Sequence, residues 1–243
     1  MTISNTLIIF SLLLSVSYAQ RQFTFTNYCN VTVYVGALDN PGFQLPMGGG
    51  WALTPGDSNI ISLQDNWQGR FWGRTDCDFD SNGNGYCQTG DCGGVLQCNG
   101  AGGNPPATLI EMTLSGNGNQ DYYDVSLVDG YNLPVAFGPD APTSNDYNCT
   151  LAGCVSDLND ICPSDLQVVY NGQVVACLSA CEKYGSPQYC CTGAYSTPQT
   201  CQPTTYSEIF KKACPNAYSY AYDDHTSTFT CPGQYNYNVI FCP

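Results

Sequence analysis

Sixteen cysteines, an even number, run from position 29 to position 242 of this 243-residue chain. Whether they bind metal, stay reduced or pair with one another constrains the fold more than any other feature. A metal role has little support. His225 is the sole histidine, and no pair of C-x2-C knuckles stands at the spacing of a tetrahedral zinc site. The N-terminus decides between the other two states. Leu7 to Leu14 is apolar apart from Ser11, and Ser17-Tyr18-Ala19 puts small residues at the −3 and −1 positions of a leader cleavage site. The run is too short to span a bilayer, and the leader lacks a basic n-region, so only the α-amino group is positive there. Residues 1–19 therefore read as a signal peptide, and residues 20–243 as one secreted, extracellular unit whose cysteines meet oxidants and pair.

Charge narrows the partners. Charged residues make up only 11% of the chain, yet the net charge is −14. Nucleic acid and anionic membranes both repel such a surface, so neither is an expected partner. No second long apolar run follows the leader, so no membrane span is expected.

Period-two patterning dominates the mature start. Phe23 and Phe25 alternate with Thr24 and Thr26, and Val31, Val33 and Val35 repeat the pattern. Arg70 to Arg74, Thr108 to Leu114 and Tyr122 to Val128 also read as strands, with turns at Pro55-Gly56, Asn82-Gly83, Gly116 to Asn119 and Asp129-Gly130. From Cys149 to Cys214 the cysteines crowd and the alternation fades. One short helix is predicted near Tyr206 to Ala213, with Thr205 and Glu208 as a capping-box pair and Ile209, Phe210 and Ala213 as its apolar face. Another is predicted through Leu178 to Lys183. Tyr218 to Tyr222 and Thr228 to Phe241 return to strand-like patterning, so the C-terminus should rejoin the first sheet.

Gly83-Asn84-Gly85-Tyr86-Cys87-Gln88-Thr89-Gly90-Asp91-Cys92-Gly93-Gly94-Val95-Leu96-Gln97-Cys98 is a glycine-rich hairpin pinned by crowded cysteines. It resembles the signature of the thaumatin-like proteins (pathogenesis-related family 5) at every constrained position. The resemblance continues through Gly73-Arg74-Thr75-Asp76-Cys77, Ser126 to Gly130, Gln188-Tyr189-Cys190-Cys191 and Tyr218-Ser219-Tyr220 to Phe241-Cys242-Pro243, and all sixteen cysteines fall in family order. It implies a mainly β fold, a flattened β-sandwich core from residues 21–74, 106–155 and 215–243. A small hairpin lobe at 75–105 and a cysteine-rich lobe with short helices at 156–214 would flank it.

Spacing alone leaves roughly two million ways to pair sixteen cysteines. The resemblance implies one of them: Cys29 with Cys242, Cys77 with Cys87, Cys92 with Cys98, Cys149 with Cys231, Cys154 with Cys214, Cys162 with Cys177, Cys181 with Cys190, and Cys191 with Cys201.

Two acidic features compete for attention. Asp78-Phe79-Asp80-Ser81-Asn82-Gly83 follows an EF-hand loop through its sixth position, but the twelfth position is Thr89, not a bidentate glutamate. A polar hairpin tip is the better reading, and no metal or other cofactor is expected. Glu111, one of only three glutamates, lies in a predicted strand with Leu109 and Thr113 on its face. Asp124 and Asp129 have opposite parity on another strand, so only a bend or bulge aims both at one place. Nothing in the pattern gathers Arg70, Glu111, Asp124, Asp129 and Asp224. The resemblance does, because the family's cleft, placed between the core and the cysteine-rich lobe, carries an arginine, a glutamate and three aspartates, each matched here within its local motif. Asp224 matches, rather than Asp223.

Such a cleft suits sugars: its oxygens accept hydrogen bonds from hydroxyls, and paired carboxyls can hydrolyse glycosides as acid and as base or nucleophile. Clustered carboxylates raise the pKa of one member, while Arg70 is expected to keep its neighbours ionised. A nucleophilic triad has no support, since His225 abuts Asp224 and no activated serine motif surrounds it. What the resemblance implies is host defence by a monomer that binds β-1,3-glucan or a related fungal cell-wall polysaccharide. Glu111 as proton donor and Asp129 as base or nucleophile would supply any weak endo-β-1,3-glucanase activity, with binding by Arg70, Glu111, Asp124, Asp129 and Asp224. The family mixes binders and feeble hydrolases, so the resemblance leaves the enzyme question open. The rival is a non-enzymatic antifungal, membrane-active or enzyme-inhibiting protein acting through its surface; the charge of −14 disfavours attack on anionic lipid. Asn30-Val31-Thr32 and Asn148-Cys149-Thr150 are glycosylation sequons, the second with a cysteine at its centre.

Overall fold

The computed structural model describes residues 19–141 and 148–243; the expected signal peptide, except Ala19, lies outside the described residues. Two sheets make the body. The first has five strands in the order β10–β9–β14–β1–β4, formed by Ala152–Cys154, Val135–Pro139, Tyr237–Phe241, Gln20–Asn27 and Ser58–Gln64. The second has the order β13–β8–β7–β5–β2–β3, formed by Phe229–Pro232, Gln120–Ser126, Leu109–Thr113, Gln68–Phe79, Val33–Asp39 and Gly50–Leu53, with β6 (Gly85–Thr89) paired to the far end of β5. A separate hairpin joins β11 (Gln167–Tyr170) to β12 (Gln173–Cys177).

Alternation explains how the sheets face each other. Phe23, Phe25 and Asn27 of β1 are buried, while Gln20 and Gln22 are exposed. Phe25 meets Phe71 of β5 edge-on at 5.0 Å between ring centres, and Trp67 stacks on Phe71 at 4.9 Å. An aromatic layer thus glues the first sheet to the second, with Trp67, Phe71, Phe23, Phe25, Phe137 and Tyr237 all fully buried. The C-terminal strand β14 lies parallel to β1 and antiparallel to β9. It is an interior strand, which is why an alternating segment stands at the very end of the chain.

Disulfides close the frame. They join Cys29 to Cys242, Cys77 to Cys87, Cys92 to Cys98 and Cys149 to Cys231. The other four join Cys154 to Cys214, Cys162 to Cys177, Cys181 to Cys190 and Cys191 to Cys201. The first spans 213 residues; in the chain-entropy account of cross-linking, closing so long a loop stabilises by about 5 kcal/mol. Arg74 pins the glycine-rich hairpin from beneath. Its fully buried guanidinium donates to the carbonyls of Val35, Val95 and Leu96, and burial lowers its pKa to about 10.

Three local expectations shift. The helix α3 (Thr205–Ala213) is capped one residue earlier than its sequence suggests: the Thr204 hydroxyl accepts from Ser207 N–H, and the Ser207 hydroxyl accepts from Thr204 N–H. Glu208 only adds negative charge to the first turn. The helix α1 (Ala180–Tyr184) starts two residues later than expected, because Ser179 caps it by accepting from Glu182 N–H. Between these helices lies α2 (Pro187–Cys190). Tyr218 to Tyr222 is not a strand: only Tyr218 makes a single bridge, to Ser126, and the chain then turns because Asp223 accepts from the N–H and hydroxyl of Ser219. Asp224–Ser227 forms the short helix α4.

Candidate functional site

Strand register builds the centre of the site. Arg70 of β5 stands opposite Glu111 of β7, and Glu111 stands opposite Asp124 of β8. Facing residues in a sheet have Cβ atoms about 4.5–5.5 Å apart, so one arginine and two carboxyls form a row across three strands. The row lies on the outer face, because the alternate residues Phe71, Ile110 and Val125 are fully buried in the core between the sheets.

Two hollows of about 360 and 350 Å³ meet at this row, and both are lined by Arg70, Glu111, Asp124 and Tyr218. One extends over Asn40, Thr113 and Tyr122. The other extends over Ser126, Asp129, Ala221 and Asp224. The charged row therefore lies across the middle of a continuous groove.

Asp129 reaches the groove through the bend that its parity requires. β8 ends at Ser126, and Gly130 N–H closes a turn onto the Leu127 carbonyl at 2.9 Å. Gly130 has φ of +91°, and a Cβ there would stand 2.6 Å from Pro106 and 2.7 Å from the Cys177 carbonyl. Only glycine fits that turn.

Asp224 arrives from the other wall. The Tyr218 hydroxyl donates to Asp224 Oδ1 at 2.9 Å and also bonds Thr228 Oγ1. Neighbouring Asp223 does a different job. Its carboxylate pairs with Lys211 Nζ at 3.0 Å and accepts from Ser219 and Thr226, while Lys211 also donates to the Ala217 carbonyl and Ser227 Oγ. One ammonium from α3 thereby ties down the turn that carries Asp224.

Burial dominates the electrostatics. It raises the pKa of Glu111, a trend that Arg70 opposes and Asp129 reinforces. Asp124 is raised well above the usual carboxylate range, first by burial and then by Glu111 and Asp224. Its Oδ1 is buried without a hydrogen-bond partner among the described residues. Arg70 forms no ion pair within 4.0 Å among the described residues, whose pairs are Arg21 with Asp65 and Asp121, and Lys211 with Asp223. Arg70 favours the ionised form of Glu111, as expected, but burial opposes it and sets the net direction, and Asp124 on the far side of the row is raised further.

The far wall also differs from expectation. No residue of 156–214 lines either hollow; the wall is the segment from Tyr218 to Thr228. The cysteine-rich segment approaches through Glu182, whose pKa is raised by burial and by the charge of Asp129. Sequence reasoning assigned no role to Tyr218, Lys211 or Glu182. Tyr218 stood in the Tyr218-Ser219-Tyr220 motif, whereas nothing marked Lys211 or Glu182.

The remaining candidates separate from the groove. His225 is exposed on α4. At the hairpin tip, Asp80 Oδ1 accepts from Asn82 N–H at 2.8 Å and Asn84 N–H at 2.9 Å, an Asx turn that accounts for the acidic spacing without an ion. Among the described residues no group of three histidine, cysteine or acidic side chains is placed to hold a metal. Asn30 and Asn148 are both exposed.

Two packed β-sheets, eight disulfides and an acidic groove on one outer face define the thaumatin-like class of protein. The sequence profile of the Thaumatin family matches residues 27–243, and the chain belongs to that family. It is 56% identical to pathogenesis-related protein 5 of Arabidopsis thaliana over 221 residues, covering 91% of this chain and 90% of that one. It is 49% identical to a Prunus avium protein named glucan endo-1,3-beta-glucosidase, covering 90% and 89% respectively. Among solved structures, a β-1,3-glucanase domain from Clostridium beijerinckii aligns over 93% of this chain and 100% of that one, with a TM-score of 0.50 at 8% identity, a likeness of fold alone.

Proposed function

We propose that this thaumatin-like protein is an exported defence protein that binds β-1,3-glucan in the groove of Arg70, Glu111, Asp124, Asp129 and Asp224, with weak endo-acting hydrolysis. The observation that carries the reading is the placement of the charged row between two open hollows. A polymer lying along such a groove has residues on both sides of the acid pair, as cleavage within a chain requires. The unpartnered Asp124 oxygen supports it by offering an acceptor to a sugar hydroxyl. The Prunus avium relative's name supports the choice of β-1,3-linkage.

Chemically, burial favours the neutral form of both Glu111 and Asp124, so each carboxyl carries a proton of its own more readily than a free carboxyl does. Glu111, on the longer side chain, delivers its proton to the leaving oxygen. Asp129 acts from the second hollow as base or nucleophile. Tyr218 and Asp224 orient the chain, and Arg70 limits the charge that builds beside Glu111.

The test is retention of the parent on insoluble β-1,3-glucan. Neutral hydrogen bonding predicts that retention survives raised salt, with no binding to anionic vesicles at any salt. Loss of retention in raised salt, or no retention at all, would overturn the reading.

A further inference from the structure

Beside the groove, three tyrosines of the cysteine-rich segment form one aromatic cluster. Tyr184 of α1 lies 5.4 Å from Tyr189 of α2 and 5.7 Å from Tyr206 of α3, and Tyr189 lies 5.8 Å from Tyr206, between ring centres. The Asp165 carboxylate accepts from the hydroxyls of both Tyr184 and Tyr206, which also bond each other at 2.8 Å. These bonds fix ring orientation, yet Tyr184 remains 43% exposed. Core packing does not explain a rigid aromatic surface left in water, and two rings held by a carboxylate with a third packed against them lose little freedom when a ligand arrives.

Position supplies the occupant. Tyr189 and Tyr206 line a narrow hollow together with Gln188, Gln202, Val128 and Tyr220. Val128 also lines the second hollow of the acidic groove, so the narrow hollow beside the tyrosines adjoins that groove at this residue. The narrow hollow holds about 30 Å³, room for a water or the hydroxymethyl arm of a hexose but not for a whole ring. A sugar would lie across the tyrosines with its apolar C–H face on them. No ammonium or guanidinium lines this hollow, so nothing here selects an anion.

We propose that Tyr184, Tyr189 and Tyr206 form an outlying sugar subsite that takes a neutral glucan chain as it leaves the groove past Asp129 and Val128. This rests on the glucan reading of the groove and adds to it a preference for long chains. A short oligosaccharide fills the groove alone; a longer one also reaches the tyrosines.

The experiment compares laminaritriose with laminariheptaose by calorimetry on the intact, oxidised protein. The parent should bind the heptaose more tightly than the triose. Tyr184→Ala should weaken heptaose binding about three- to tenfold and leave the triose unchanged. Tyr184→Phe keeps the ring but loses its bond to Asp165, and should weaken the heptaose less than Tyr184→Ala does while leaving the triose unchanged. Tyr184→Leu tests ring loss at near-constant apolarity should the alanine variant fail to fold, and should weaken the heptaose in the same way. If the parent binds both sugars but Tyr184→Ala or Tyr184→Leu leaves the heptaose unaffected, the subsite is overturned while the groove stands. Equal weakening of both sugars overturns it too, because the ring then acts by shaping the groove. A parent that binds neither sugar removes the groove reading itself, and the subsite with it.

Discussion

Glu111 and Asp124 face each other across the β7–β8 ladder, and both carboxyls hold their protons more tightly than free carboxyls do. A raised folded-state pKa means that the native protein binds the proton better than the unfolded chain. The stability linked to it is full below the ordinary carboxylate range and is lost as pH rises through the folded-state values. Asp124→Asn removes the ionisation that costs most. Thermal melting should show this variant more stable than the parent at pH 7, with the gain fading as pH falls towards about 4. A variant that melts below the parent at pH 7 would mean that Asp124 is held as a stabilised anion.

Lys211 offers a test of how Asp224 is placed. Its ammonium meets Asp223, the Ala217 carbonyl and Ser227 Oγ between 2.8 and 3.1 Å. Lys211→Met leaves the half-buried Asp223 charge without its cation, and denaturant unfolding should show a loss of about 1.5–3 kcal/mol. Glucan affinity should fall in the same variant, since Asp224 rides on the loosened turn. Unchanged affinity in a destabilised variant would show that Asp224 is placed by Tyr218 alone.

Calcium should leave the protein unmoved. Asp80 sits below the usual carboxylate pKa because the N–H groups of Asn84 and Asn82 hydrogen-bond it, so a folded partner set already satisfies the acidic tip. Melting temperature in EDTA should equal that in millimolar calcium. A rise that saturates with calcium would show that the Asx turn opens to an ion.

Legibility from sequence followed the range of the interactions. β1 was plain from Phe23 and Phe25, since burial on one face writes period two directly into the chain. The strand holding Glu111 was equally plain, but not its register, and register is what sets Arg70 and Asp124 on either side of it. Those contacts join residues 41 and 13 positions apart (70 to 111, and 111 to 124), and no local pattern encodes them. The family resemblance named all five groove residues without saying how they meet. The α3 cap slipped by one residue because Thr204 and Thr205 are chemically equivalent caps, and only the Ser207 hydroxyl's reciprocal bond chooses between them. Lys211 was invisible for a different reason: its role depends on a turn whose first part, Tyr218 to Tyr222, reads as strand by pattern and is folded instead by Asp223.

The roles within the acid pair can be separated by substituting one side chain at a time. Glu111 adjoins Arg70 on one side and Asp124 on the other, lines both hollows, and has one more methylene of reach than any aspartate beside it. Asp124 has the greater proton affinity but is shorter, and suits hydrogen bonding beside Glu111 rather than proton delivery. Glu111→Gln keeps the shape and the hydrogen-bonding edge of the side chain while removing the transferable proton. Loss of a general acid costs about 10²–10⁴-fold in rate and spares binding. The variant should therefore stay on insoluble β-1,3-glucan as the parent does, while release of reducing sugar falls to background. Asp124→Asn should reduce turnover less, because it keeps a hydrogen-bonding side chain in the row and leaves the donor in place. Turnover by Glu111→Gln at the parental rate would place the proton donor elsewhere in the row, with Asp124 the first residue to test.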